Sequence, residues 1–257
     1  MNAHLGLLHA ILPATADLKV KIPEDHPSAR NLGSERVGSG TIVDPEGYIL
    51  TVHYVALGAQ SITVTLVDGE QYPGELAAQD FESGLALIKI PAHDLPFLRP
   101  ARPDSLAVGQ AALIIASSGE TERRVSGGYV TSTESFDGHW EYMLDKTIRL
   151  TAFNPGFGGG ALTDMRGRLM GVVSLNLNQV GKFSLAIPIE YYLQHEQELK
   201  QHGRIQSRPR RSWLGFYTQG FGGHLVVAGI VPGGPAEKSG LRLEEKTRRA
   251  DLLSHPA

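Results

Sequence analysis

The 257-residue sequence contains no cysteine, which excludes disulfide bonds, a thiolate nucleophile and cysteine-ligated metal sites. It contains no apolar run approaching the length of a membrane span, and residues 1–8 lack the basic segment of an export signal. The formal net charge is only −3, so electrostatics give no reason to expect a nucleic acid or an anionic membrane as partner. The composition is that of an ordinary globular protein.

Short stretches of strand-forming residues separated by turns make up most of the chain. This pattern predicts an all-β fold, either a sandwich or paired barrels. A helical period appears near the N-terminus and again between Ile189 and a stop at Gly203. The predicted strands cover residues 16–22, 38–43, 48–51, 61–67, 71–76, 85–90, 111–116, 125–133, 147–150, 169–176, 183–187 and 225–231.

The stretch from Asn154 to Leu162 is predicted to be a tight loop that joins two strands, and we call it the glycine loop. It has four glycines within five residues, Gly156 and Gly158–Gly160, which permits unusual backbone dihedrals and leaves amide N–H groups able to face a ligand. Such a composition suits an oxyanion hole. The loop contains no Ser, Thr or Cys, however, so it has no nucleophile of its own. A glycine-rich connection without chemistry is the alternative.

Four segments, in this order, resemble the HtrA/Deg family of trypsin-like serine proteases with a C-terminal PDZ domain. They are residues 38–51 (GSGTIVDPEGYILT), 85–90 (LALIKI), 154–156 (NPG) and 186–188 (AIP). The resemblance covers about residues 10–241. It implies a trypsin-like double β-barrel followed by a PDZ-like module, and a role in protein quality control.

The resemblance also places each member of the family's Ser-His-Asp triad. The histidine position holds Tyr54, with His53 one residue early; the aspartate position holds Gly84; and the nucleophile position holds Gly158. All three positions therefore lack triad chemistry. A relocated set built from His53 with Asp80 or Glu82 would supply a base and its orienting group but no hydroxyl. A structural role for His53 is the simpler interpretation.

Even without the triad, the resemblance implies that the chain could bind a peptide. The N–H groups around Gly156, Phe157 and Gly158 would form an oxyanion loop for a carbonyl or carboxylate oxygen. The strand that resembles the family's substrate-pairing strand, expected to lie at a sheet edge, would bind an extended peptide by β-augmentation or serve only as barrel wall. Its candidate binding residues are Val172, Val173, Ser174 and Leu175.

The C-terminal part resembles an incomplete PDZ domain. Residues Trp213, Leu214, Gly215 and Phe216 match the loop that receives a peptide carboxylate, but the sequence ends before the helix that would complete the groove. We expect domains at 1–200 (protease fold) and 213–257 (truncated PDZ-like segment with a frayed tail), separated by a basic linker at 201–212.

The leading functional hypothesis is a catalytically inactive HtrA-like pseudoprotease that binds a peptide or protein ligand. The alternatives are an active endopeptidase with an unconventional catalytic set and a degenerate truncated product. His195 and His202 have no third ligand at metal spacing, so no metal and no cofactor are expected. The resemblance implies a trimer, and a periplasmic or extracytoplasmic location if an export signal was removed; the chain as given would be cytoplasmic if complete.

Overall fold

The computed structural model describes residues 2–101, 106–137, 143–176, 183–209, 212–221, 224–242 and 246–247. Within this part, residues up to Gln206 form one compact unit and residues from Ser207 onward form a second. The boundary lies inside the predicted linker at 201–212. The described helices include none that is long and apolar enough to cross a bilayer.

A closed six-stranded antiparallel barrel forms the first half of the larger unit, and its strand order is β1-β2-β3-β6-β5-β4. Helix α1 (Asn2–Ile11) precedes it. Side chains alternate between the core and solvent along several of its strands, as the period-2 pattern of the sequence predicts. The strands are β1 (Thr15–Lys21), β2 (Glu35–Ile42), β3 (Tyr48–Val52), β4 (Ser61–Leu66), β5 (Gln71–Asp80) and β6 (Leu85–Lys89).

A second closed barrel forms the other half of this unit, with strand order β11-β14-β13-β12-β7-β8. A small hairpin of β9 (Phe136–Asp137) and β10 (Met143–Leu144) lies between β8 and β11 along the chain. The barrel strands are β7 (Ala111–Gly119), β8 (Glu122–Ser132), β11 (Ile148–Leu150), β12 (Ala161–Asp164), β13 (Leu169–Asn176) and β14 (Ser184–Pro188). The predicted trypsin-like double barrel is therefore confirmed.

Buried polar groups join the two barrels. The Ser117 hydroxyl of β7 hydrogen-bonds to the carboxylate of Asp17 on β1, and Arg123 of β8 donates to Thr15 Oγ1 at 2.9 Å and to the Thr65 carbonyl at 3.0 Å. Asp17 and Ser117 are almost fully buried. Because buried polar groups are costly unless paired, these bonds fix how the barrels meet.

Short helices complete the larger unit. Helix α2 spans Ala29–Leu32, and α3 (His53–Ala56) is a single turn directly after β3. The helix expected between Ile189 and Gly203 is divided into α4 (Glu190–Leu193) and α5 (Glu196–His202), and it ends at Gly203 with φ of +69° as predicted.

The described residues of the second unit form a three-stranded sheet in the order β15-β16-β17 and one short helix. The sheet strands are β15 (Phe216–Phe221), β16 (His224–Ile230) and β17 (Lys246–Thr247), and the helix is α6 (Pro235–Lys238). The predicted strand and helical turn are both present here. Most of the predicted frayed tail, residues 242–257, lies outside the described residues.

Candidate functional site

Tyr54, Gly84 and Gly158 come from three different parts of the chain and lie at one site between the barrels. Tyr54 is on the one-turn helix α3, Gly84 is in the turn between β5 and β6, and Gly158 is in the glycine loop. The N–H of His53 donates to the Gly84 carbonyl at 2.8 Å, which joins the first two positions. The aromatic side chain of Tyr54 connects position 54 with position 158.

The Tyr54 side chain crosses from the first barrel to the second. Its hydroxyl donates to the backbone carbonyl of Ser174 on β13 at 3.0 Å. A Cβ atom built on Gly158 would lie 2.0 Å from this hydroxyl oxygen and 3.3 Å from the Ser174 oxygen. The Tyr54 ring therefore fills the space in which a side chain at position 158 would begin, and we call it the Tyr54 plug.

Gly84 has a left-handed backbone, with φ of +78°. Its N–H donates to the Asp80 carbonyl at 2.9 Å, which closes the turn between β5 and β6. Glycine adopts this conformation without the steric penalty of a side chain. The backbone of the turn thus holds His53, while position 84 carries no carboxylate to orient it.

His53 is buried, with 6% of its surface exposed. Its ring packs edge-on against Phe81, with ring centroids 5.8 Å apart, and against Tyr54 at 6.4 Å. Burial lowers the pKa of His53, while the hydrogen bond with the Gly84 backbone and the negative charge of Asp80 oppose that shift. The imidazole is therefore neutral near pH 7 and packs among aromatic rings.

Hydrogen bonds from Ser39 and Ser117 fix the glycine loop. Ser39 donates from its N–H to the Gly158 carbonyl at 2.7 Å and from its hydroxyl to the Phe157 carbonyl at 2.9 Å. The Ser117 carbonyl accepts from the Phe157 N–H at 2.8 Å, and the Ser117 N–H donates to Ser39 Oγ at 2.8 Å. One serine from each barrel thus holds the loop.

Glycine is required in this loop because the backbone of other segments approaches so closely. A Cβ on Gly156 would lie 2.2 Å from the Ser117 carbonyl oxygen, and one on Gly159 would lie 2.1 Å from that of Ser39. The Gly156 N–H, one of the predicted oxyanion donors, donates to the side-chain Oδ1 of Asn154 at 3.3 Å. This amide is therefore already hydrogen-bonded within the loop.

The glycine loop ends earlier than the sequence suggested, because Ala161 and Leu162 already belong to β12. The loop joins β11 to β12, and β13 follows only after a further turn. The prediction that the candidate peptide-pairing strand lies at a sheet edge is wrong for Val172 and Val173. Val172 pairs with Ala161 on one side and with Ile187 on the other, and both valine side chains are fully buried.

The remaining part of β13 has different surroundings. Between Val173 and Leu175 the register with β14 shifts by one residue, so Ser174 lies at a β-bulge. The described pairing of β12 with β13 reaches only as far as Ala161 opposite Val172. The Ser174 carbonyl, which accepts from Tyr54, is therefore beyond the end of β12.

The predicted carboxylate loop of the second unit precedes β15. Gly215 has φ of +75°, and its carbonyl accepts from the Val231 N–H at 2.8 Å; the Leu214 carbonyl accepts from the Ala236 N–H at 3.0 Å. Trp213 is 64% exposed. These bonds tie the loop to β16 and α6 and leave an exposed indole next to it.

Sequence reasoning missed Ser39, Ser117 and Arg36, which all bond to elements of the site. A signal for Ser39 was present, because it lies between Gly38 and Gly40 within a strand. A Cβ on Gly38 would come within 2.6 Å of Val55, and one on Gly40 within 2.5 Å of Ile49. Paired glycines inside a strand indicate close approach of other segments.

The trypsin-like peptidases are a class of proteins with two closed six-stranded barrels and a site between them, where the three triad positions come together. The family model described as "Trypsin-like peptidase domain" matches residues 38–172, more than half of the chain. The chain therefore belongs to the trypsin-like peptidases, and its relatives place it among the HtrA-like serine protease homologues of that family.

Two relatives bear the name "Probable periplasmic serine endoprotease DegP-like". The protein from Hahella chejuensis is 33% identical over 224 residues, covering 81% of this chain and 47% of its own length. The protein from Ectopseudomonas mendocina is 30% identical over 236 residues, covering 85% and 48% respectively. The chain thus spans about half the length of these curated relatives.

Solved structures of an HtrA-type protease, AlgW, are also similar. The complex with a decapeptide has a TM-score of 0.66 and 27% identity, covering 98% of this chain and 91% of the other. The complex with a tripeptide has a TM-score of 0.69 and 28% identity, covering 95% and 81%.

Proposed function

We propose that this chain is a catalytically inactive HtrA-like serine protease homologue that binds a peptide or protein ligand and acts as a regulatory protein. The observation that carries the proposal is the Tyr54 plug. Position 158 has no side chain, and the space that a serine Cβ would need is within 2.0 Å of the Tyr54 hydroxyl oxygen. A serine at position 158 and the Tyr54 side chain in its present position would therefore occupy the same space.

The expected loss of catalytic rate supports the proposal. Loss of the nucleophile or the base alone lowers kcat by about a millionfold in subtilisin. Here the base position carries a tyrosine whose hydroxyl donates to Ser174, and the nucleophile position carries no hydroxyl. Proteolysis at the triad positions is therefore expected to be undetectable.

An active endopeptidase is the rival proposal, and the state of His53 favours it. Burial lowers the pKa of His53, so its imidazole is neutral and able to accept a proton, and Asp80 acts on it electrostatically. A hydroxyl to activate is what this set lacks, because residues 154–162 contain none.

For the ligand, we propose an extended polypeptide that contacts the glycine loop and residues 174–175 of β13, with a second site at Trp213–Phe216 on a PDZ-like module. The solved structures of AlgW with a decapeptide and with a tripeptide support this class of ligand. By the same likeness we propose an extracytoplasmic location, since the relatives are named as periplasmic proteins. The trimeric assembly that we also propose rests on the resemblance to the HtrA/Deg family alone.

A β-casein digestion assay tests the proposal, with wild-type protein beside the Tyr54→His, Gly84→Asp, Gly158→Ser triple variant. We expect no turnover by the wild type. Turnover that appears only in the triple variant would support a cleft still arranged for peptide. Turnover by the wild type that disappears in His53→Ala would establish the endopeptidase instead.

A fluorophosphonate probe gives an independent result, because it labels an activated hydroxyl covalently. We expect no stoichiometric label on the wild type. Labelling of one hydroxyl near residues 150–160 would overturn the proposal, whatever the casein result.

A further inference from the structure

Arg36 carries a buried guanidinium group beside the helix that holds Tyr54. It lies on β2 and is 7% exposed. The side chain donates to the backbone carbonyls of Tyr54 at 2.6 Å and Leu57 at 3.0 Å. It also donates to the Gly33 carbonyl at 3.1 Å and to Ser28 Oγ at 2.7 Å. Four acceptors therefore surround one guanidinium.

All four of these acceptors are uncharged. Burial lowers the pKa of Arg36, and no negative charge opposes that effect. A buried cation is costly unless its hydrogen-bonding groups are well satisfied. The planar guanidinium satisfies this need because it has five N–H donors in fixed directions, whereas the ammonium of a lysine has only three.

The carbonyls of Tyr54 and Leu57 are two of the four at the C-terminal end of α3 that have no partner within the helix. Helix α3 has only four residues, so it lacks the continuous hydrogen bonding that stabilises a longer helix. A cation at the C-terminal end of a helix satisfies such carbonyls and interacts favourably with their dipoles. Arg36 therefore fixes the backbone of α3 at the residue that carries the plug.

We propose that Arg36 is the positioning residue of the Tyr54 plug. By holding the Tyr54 carbonyl it directs the ring across the cleft, so that the hydroxyl reaches Ser174 and covers that carbonyl. An extended polypeptide that pairs at Ser174 then has to displace Tyr54 first. Only this last consequence rests on the proposed function; the positioning role does not.

Chemical nitration of Tyr54 with tetranitromethane, mapped by mass spectrometry, tests the proposal in the full-length protein. In Arg36→Met we expect the nitration rate of Tyr54 to rise about tenfold over wild type, a population change that corresponds to about 1.4 kcal/mol. Arg36→Lys keeps the charge without the guanidinium, so its rate should be intermediate. If Arg36→Met does not fold, the lysine variant decides.

The matched control is Arg168→Met, which removes a partly buried guanidinium that donates to Asp164 within the second barrel rather than to α3. It should leave Tyr54 nitration at the wild-type rate. An equal rise in both methionine variants, or no rise in either Arg36 variant, would overturn the proposal. Because nitration needs neither ligand nor turnover, this result is independent of the casein assay.

Discussion

The shared space of Tyr54 and Gly158 leads to a quantitative prediction for Gly158→Ser. The new Cβ would lie 2.0 Å from the Tyr54 hydroxyl oxygen, far inside van der Waals contact. Because this oxygen is also hydrogen-bonded to Ser174, the plug has to move and lose that bond, or the loop has to shift. Gly158 is absent from the glycines with positive φ, so the cost comes from space and not from the backbone.

Two terms set the size of the effect. Overpacking of a tightly packed site costs about 1–3 kcal/mol, and a lost hydrogen bond adds about 1 kcal/mol. We therefore expect Gly158→Ser to lower the free energy of unfolding by roughly 2–4 kcal/mol, which corresponds to a fall in Tm of about 5–15 °C for a protein of this size.

Thermal unfolding of a double-mutant cycle measures the coupling. In a Tyr54→Ala background the serine has room, so its additional cost should fall below about 0.5 kcal/mol. Gly127→Ser is the control, because its Cβ would meet only Leu113 at an ordinary 3.5 Å. Equal costs of Gly158→Ser with and without the Tyr54 ring would refute the assignment of shared space.

Two further predictions concern the surroundings of the plug. Because burial lowers the pKa of His53, the unfolded chain binds its proton more readily, and stability should fall as pH drops below about 6.5. His53→Gln should flatten this fall in unfolding experiments between pH 6.5 and 5; an unchanged slope would contradict the assignment. Ser39→Ala removes the hydroxyl that bonds to Phe157 and Ser117 and should cost about 1–3 kcal/mol, because buried partners lose their bonds. Ser61→Ala at an exposed strand position should cost less than about 0.5 kcal/mol, and equal losses would show that the loop does not depend on Ser39.

The strands of both barrels could be predicted largely from alternation and turn residues. The segments Gly38–Thr51 and Leu85–Ile90 were decisive for the fold class, because they carry most of the resemblance to the HtrA/Deg family. Strand β12 was missed because all four of its residues are buried, so it shows no alternation next to the glycines.

The residues of the site could be located from the sequence, but the position of the Tyr54 side chain across the cleft could not. The resemblance assigned Tyr54, Gly84 and Gly158 to the three triad positions. The identities of these residues were enough to predict that the positions lack triad chemistry. The plug depends on a contact between Tyr54 and Ser174, which are 120 residues apart in the chain. No local pattern encodes such a contact.

The role that we propose for Arg36 could not be predicted from the sequence for a similar reason. In the sequence it is one cation in a polar stretch, and only the fold shows that its four acceptors converge from two segments, the ends of α2 and helix α3 with its C-cap. Binding of neutral carbonyls by arginine leaves no complementary acidic residue in the sequence to reveal it.

The overlap between Tyr54 and position 158 also constrains how this chain can change over evolutionary time. A mutation to serine at 158 while Tyr54 remains gives a strained, less stable protein, whereas replacement of the tyrosine first gives the serine room. The order of the two substitutions therefore decides whether the change at 158 is tolerated. For as long as Tyr54 is retained, its ring favours glycine at position 158 over any residue with a side chain.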